Sequence, residues 1–382
     1  NTRTIGGAVT GLSGSGLVLS LSAGGTQTLS VSANGSFTFA QSVSNAQSYA
    51  VTVQTQPSGP TQTCTVTNGT GAAAPTNVTD VAVNCTTNTY TVGGTVSGLA
   101  GSGLVLSLNA GAQTVSVAAN GAFNFPSAIA SGSTYAVTVQ TQPSAPTQTC
   151  SLTNASGSVS SSNVTNIGVT CTTNTYTVGG AVSGLSGSGL VLSLNAGAQT
   201  LTVAANGAFT FPTALASGSN YTVTVQTQPS APTQSCSVAS GNGTVGASTV
   251  TNVTVTCATN TYTVGGSVTG LAGSGLVLSL NAGAQTLPVA ANGTFTFPTA
   301  LASGSSYAVT VQTQPASPTQ TCAVSNGGGT VVAANITNIA INCTTNTYTV
   351  GGTVSGLAGT GLVLSLNAGA QTLPIAANGA FT

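Results

Sequence analysis

NTYTVGGTVSGLAGSGLVLSL, running from Asn88 to Leu108, returns almost unchanged at Asn174–Leu194, Asn260–Leu280 and Asn346–Leu366, and opens the chain as NTRTIGGAVTGLSGSGLVLSL. Paired glycines, a GLxGxG turn and the alternation of Leu104, Leu106 and Leu108 read as strand, tight turn and strand, with the leucines on one face and Val105 and Ser107 on the other. Each copy starts a new unit. Cysteines at 64, 150, 236 and 322 are spaced by 86 residues, as are those at 85, 171, 257 and 343. An internal period of this kind outranks any domain count taken from length. It divides the 382 residues into repeats 1–87, 88–173, 174–259 and 260–345 and a partial fifth, 346–382; the first repeat holds one extra residue near Gly24 and Gly25.

Composition excludes several function classes. Arg3 is the only cation and Asp80 the only acid, and histidine, methionine and tryptophan are absent. Neutralising nucleic-acid phosphates or anionic lipid takes several basic side chains, so neither is an expected partner. An enzyme needs a titratable base, an activated nucleophile or a metal, and the many hydroxyls here have no His or Lys to activate them; no activity and no cofactor are expected. Calcium at the seams would need paired carboxylates that are missing. The GLAGSG runs precede strands and lack a lysine, which makes them turns rather than phosphate loops. Sequons such as Asn68-Gly-Thr and Asn163-Val-Thr follow from a composition rich in Asn, Ser and Thr. With 40% apolar residues in an alternating pattern the chain is expected to fold, and its lack of charge removes the repulsion that keeps soluble proteins apart. No run is long enough to span a bilayer as a helix, and the N-terminus shows no signal pattern.

The second repeat stands for all. Strands are expected at Tyr90–Val96 (bulged or closely approached at Gly93 and Gly94), Leu104–Asn109 and Gln113–Ala118. Asn120-Gly121 reads as a hairpin turn, and parity favours a three-residue loop that sets Val117 opposite Phe123, with Phe125 on the same face. Pro288 and Pro374 in later copies of the third strand place it at a sheet edge. Further strands are expected at Thr134–Thr141, Gln148–Thr153 and Asn166–Cys171. If Cys150 faces Cys171, Leu152 faces Val169, so a disulfide and the core alternation agree. About seven strands per repeat, without a helical period, give tandem immunoglobulin-like β-sandwiches.

Four equally spaced cysteine pairs imply an oxidising compartment, extracellular or cell-surface, with bridges Cys64–Cys85, Cys150–Cys171, Cys236–Cys257 and Cys322–Cys343. The rival metal reading lacks accompanying His or carboxylate ligands. The order TVGGTVSGL, GLVLSLNAG, ANGAFNFP and SGSTYAVTVQTQP resembles the carboxypeptidase-regulatory-like and Cna B-type modules strung along bacterial surface proteins. That resemblance implies a stalk, spacer or fibre subunit. Such modules often hold a Lys–Asn isopeptide bond, which a chain without lysine cannot form.

Between repeats, the segment separating the two cysteines varies most (NGTGAAAPTN, NASGSVSSSN, SGNGTVGAST, NGGGTVVAAN), whereas VQTQP hardly changes. A repeated binding site belongs in a constant exposed segment, so QTQPSAPTQ, with Gln140, Gln142 and Gln148, is the candidate contact loop. Its alternative is a loop that packs on the neighbouring repeat. Continuous chain from Cys171 to Tyr176, without Gly or Pro, predicts a stiff string with a rise of about 30–45 Å per repeat at ~3.3 Å per extended residue. The functional expectation is a section of a longer extracellular fibre or stalk, self-associating end to end or laterally. The fifth unit would be finished by further chain or by strands of another copy. The second hypothesis is an adhesin binding glycan, host protein or a solid surface.

Overall fold

The computed structural model describes residues 1–382. Apart from a 3-10 turn at Asn367–Gly369 every regular element is a strand, and no helix is long and apolar enough to cross a membrane. The second repeat contains β1 (Thr89–Tyr90), β2 (Val92–Ser97), β3 (Leu104–Leu108), β4 (Gln113–Val117), β5 (Gly121–Asn124), β6 (Ile129–Ala130), β7 (Thr134–Thr141), β8 (Gln148–Thr153), β9 (Ser156–Ser158) and β10 (Val164–Thr173). These labels serve below for the matching strands of every repeat.

Two four-stranded sheets face each other, ordered β5-β2-β10-β8 and β4-β3-β7-β9, and β1 pairs with β6 beside them. Leu104, Leu106 and Leu108 from one sheet and Val92, Val96, Ile167 and Val169 from the other meet in a single buried cluster. Burial of such side chains supplies the main stabilisation, about 1.5–3 kcal/mol each. The same cluster recurs in repeats 1, 3 and 4. The tandem all-β sandwich read from the sequence is the fold, with ten strands per repeat rather than seven. The extra three are a break at Thr91 that detaches β1, and the short β6 and β9, whose two or three residues carry no alternation to read.

Gly93 and Gly94 sit in β2 because β2 is squeezed from both sides. A Cβ on Gly93 would lie 2.2 Å from Phe123 O, and one on Gly94 1.8 Å from Ile167 O. The bulge itself falls on the partner strand, where β10 advances from Val164 to Ile167 while β2 advances from Val92 to Gly94. This pairing of β2 with β10 is parallel, and nothing in the local sequence announces it.

The hairpin expected at Asn120-Gly121 is not there. Val117 pairs with Leu104 on β3, and Phe123 pairs with Gly94 on β2, so the turn carries the chain from one sheet to the other. Val117 and Phe123 share the core from opposite walls, which satisfies the parity that suggested a hairpin. Phe125 packs edge-on against Phe123, centroids 6.0 Å apart. β4 is an edge strand, and Pro288 occupies it in the fourth repeat. The last strand starts at Val164, two residues earlier than expected, and Cys150 pairs with Cys171 and Leu152 with Val169.

Residues 346–382 repeat the local part of this design. Leu362 pairs with Ile375 and Gly352 with Phe381, in the registers of the complete repeats. Both pairings form between strands of residues 346–382 themselves. Register in this part of the fold is set locally.

Candidate functional site

The loop Gln142–Gln148 joins β7 to β8 at the end of the repeat that meets the next one. Its first residue turns inward. Gln142 donates from Nε2 to Cys150 O (3.2 Å) and accepts at Oε1 from Cys150 N (2.8 Å). β8 is the edge of its sheet, so the side-chain amide gives Cys150 the donor and acceptor that a neighbouring strand would otherwise supply. Gln56, Gln228 and Gln314 bracket Cys64, Cys236 and Cys322 in the same way.

Gln148 is only 2% exposed. Its Oε1 accepts from Ala100 N (2.8 Å) and Gly101 N (2.7 Å), and its Nε2 donates to Gly98 O (2.8 Å) and Thr173 Oγ1 (3.2 Å). One side chain therefore ties the GLAGSG turn to the end of β10. Gly101 has to be glycine, because a Cβ there would lie 2.3 Å from Pro146 O. Of the three glutamines in the candidate contact loop, Gln148 is buried, Gln142 is exposed but bonded within its own repeat, and Gln140 is exposed on β7.

Three further amides of the repeat do the same work. Asn120 brackets Leu99 (2.7 and 2.8 Å), Gln113 brackets Ser127 (3.0 and 2.9 Å), and Asn109 spans Thr134 O (3.3 Å) and Ala136 N (2.8 Å). In a chain without ion pairs to fix its turns, Asn and Gln side chains act as spare peptide groups. Asn120 thus earns its place through a long-range turn contact as much as through the turn it starts.

Thr147 points outward to the next repeat. Its N–H donates to Ser217 Oγ (3.0 Å), its hydroxyl lies 3.3 Å from Tyr176 OH, and its carbonyl accepts from Asn174 N (3.0 Å). Ser217 N donates to Asn174 O (2.8 Å) and Ser217 Oγ to Gly246 O (2.9 Å), while Thr149 Oγ1 donates to Asn174 Oδ1 (2.8 Å). Pro146 lies under Gly218, where an added Cβ would meet its ring at 3.3 Å. Thr61 with Ser131 and Tyr90, and Thr233 with Ser303 and Tyr262, form the same clasp at the other two complete junctions. Thr319 holds Asn346 N and Tyr348 OH at the seam with residues 346–382.

Clasp and covalent chain run together. β10 ends at Thr173, one residue before Thr175–Tyr176 and four before the next long strand, Val178–Ser183. Tyr176, Ser217, Asn174 and Thr147 were not singled out in the sequence. The constancy of TNTYT and of Ser-Gly-Ser at 131, 217 and 303 is the signal that marks them. In repeat 1, Arg3, Asn45 and Ala46 stand at the positions of Tyr90, Ser131 and Gly132.

The eight cysteines form Cys64–Cys85, Cys150–Cys171, Cys236–Cys257 and Cys322–Cys343, each across β8 and β10, with no free cysteine. No group of His, Cys, Asp or Glu could hold a metal ion. The chemistry available at the junction is hydrogen bonding among hydroxyls, amides and backbone, all within the chain.

No family model matches the chain, and no curated protein matches it. Among solved structures it is similar to the TIE protein of Bacillus anthracis, at 9% identity over 90% of this chain and 68% of that one, with a TM-score of 0.44. It is also similar to two B repeat units of the collagen binding protein Cna of Staphylococcus aureus, at 14% identity over 91% of this chain and 100% of that one, TM-score 0.20. A streptococcal ancillary pilin matches at 12% identity over 66% of this chain and 99% of that one, TM-score 0.21. The chain is a tandem array of disulfide-bridged β-sandwiches, and its neighbours among solved structures include Cna B-type repeats and pilin domains.

Proposed function

We propose that the chain is a section of an extracellular or cell-surface stalk or fibre, in which the array itself is the working part. The observation that carries this reading is the junction clasp, built from the same residues at every complete seam and spending the constant polar side chains on the next repeat. One disulfide per repeat suits an oxidising compartment. A surface with one cation and one acid offers little barrier to lateral contact between copies. Filaments formed this way resist salt, because no charge pairs are available to screen.

Electron microscopy of the purified chain and of native material tests the proposal. Ordered filaments whose repeat matches one domain, about 30–45 Å on the extended-strand estimate, support self-association. Single straight strings support a spacer with its partner elsewhere. Collapsed or randomly bent beads contradict both. Saturable binding of a glycan or host protein by one 86-residue repeat would instead make the repeats adhesive.

A further inference from the structure

We infer that each repeat is a load-bearing element, clamped in shear by its first and last long strands and limited in extension by its disulfide. The inference rests on the stalk reading for its use in the cell, and on the topology of a single repeat for its content.

The chain enters a repeat through β2 and leaves it through β10. These two strands are direct neighbours, run parallel, and are paired from Val92↔Val164 to Ser97↔Thr170. Tension along the array pulls the start of β2 one way and the end of β10 the other. In a parallel pair those directions are opposed along the strand axes, so every hydrogen bond between the strands is loaded together. An antiparallel pair of terminal strands would instead open from one end, one bond at a time. The same parallel pair closes repeats 1, 3 and 4, as Ile5–Thr10 with Val78–Thr87, Val178–Ser183 with Val250–Thr259, and Val264–Thr269 with Ile336–Thr345.

Three features back the clamp. β2 is held on its other side by β5, and β10 by β8, so neither strand can peel away sideways. Gly94 lets β2 lie close enough that its Cα faces the Ile167 carbonyl with no room for a side chain. At the seam, Asn174 is bonded to Thr147 O behind it and to Ser217 N ahead, so load passes from β10 to the next β2 with no slack segment between.

The disulfide stands outside the clamp but inside the force path. Cys150–Cys171 joins β8 to β10 and leaves β2 free to shear. Once β2 has gone, residues from Gly98 to Thr149 can be drawn out. Force then crosses from Cys150 to Cys171, and the residues between them stay closed. Those 21 positions correspond to about 70 Å of chain at ~3.4 Å per residue.

Single-molecule pulling on the whole chain tests both parts. Pulled through its termini, the oxidised chain should unfold in one all-or-none step per complete repeat, and reduction should lengthen each step by about 70 Å. Steps of equal length before and after reduction overturn the disulfide limit. The Ser102→Cys variant tests the clamp. Ser102 is exposed in the turn after β2, and the chain has no other free thiol. With one tether joined by a thioether at position 102 and the other at the C-terminus, repeat 2 is opened from the end where β2 stops and β10 leaves, while repeats 3 and 4 stay in shear. The expected trace has one weak step followed by two strong ones. Three steps of equal force, or a first step as strong as in the terminal tether, would overturn the clamp. Microscopy showing no filaments would refute self-association and leave these outcomes unchanged.

Discussion

Two polar turns of each repeat, Gln142–Gln148 and Asn154–Asn163, look alike in composition and behave oppositely. The first keeps its Gln, Pro, Pro-Thr and Gln positions in all four repeats and varies at Ser144 and Ala145, which are exposed. The second changes at most positions. Its fixed points are a glycine under the ring of Tyr135, where a Cβ on Gly157 would come within 2.9 Å of the hydroxyl, and a buried small apolar residue, Ala73, Val159, Val245 or Val331. The clasp also reaches into this turn, as Ser131 Oγ donates to Ser160 O, but it uses a carbonyl that any residue provides. Between these two turns, constancy follows the side chains that bond or pack across a turn or a seam rather than exposure.

The largest effect should come from the parallel β2–β10 pair at the centre of its sheet. Gly94→Ala drives a Cβ into Ile167 O and is expected to cost about 4 kcal/mol or more. Calorimetry of the chain should lose about a quarter of its unfolding enthalpy, since repeats contribute roughly additively. Next comes Gln148→Ala, which leaves Ala100 N, Gly101 N and Gly98 O without their partner; roughly 3 kcal/mol of repeat 2 should be lost by denaturant unfolding. Gln140→Ala in the same assay should change stability by less than about 0.5 kcal/mol, and an equal loss would break the distinction drawn between these glutamines.

Thr147→Val should act on the seam rather than the repeat. It removes the hydroxyl contact with Tyr176, worth about 1 kcal/mol, and should speed proteolysis near Asn174 with little shift in the unfolding midpoint. Ser162→Ala in the variable turn should be silent. pH sharpens the comparison from another side. With one acid, one Arg and no His, stability should be nearly flat from mildly acidic to mildly alkaline solution. Burial, and then the Asp80 carboxylate, raise the Tyr49 hydroxyl above its usual pKa of 10.0. A raised folded-state pKa contributes stability that is present below the unfolded value and is lost as pH rises through the folded one. Repeat 1 should therefore lose stability in strong alkali.

What the sequence made legible followed from period two. Leu104, Leu106 and Leu108 share a face in any strand, and Cys150 and Leu152 bring Cys171 and Val169 into register in any antiparallel hairpin. The sheet crossing at Asn120 escaped because Val117 and Phe123 point into the same core whether they pair with each other or face across it. The β2–β10 pair escaped because its partners lie some 70 residues apart, with no turn to announce them. Gln148 escaped because glutamine is a surface residue by type, and its burial depends on a turn of glycines closing around it.

The most direct test of the account is small-angle X-ray scattering of the chain beside its Thr61→Val, Thr147→Val, Thr233→Val variant. If the clasps make the array stiff, the unaltered chain scatters as a straight rod whose four complete repeats span roughly 120–180 Å at the extended-strand rise, and the triple variant shows a shorter, broader distribution of end-to-end distances with the same folded repeats. Identical bent, flexible profiles for both proteins would contradict it.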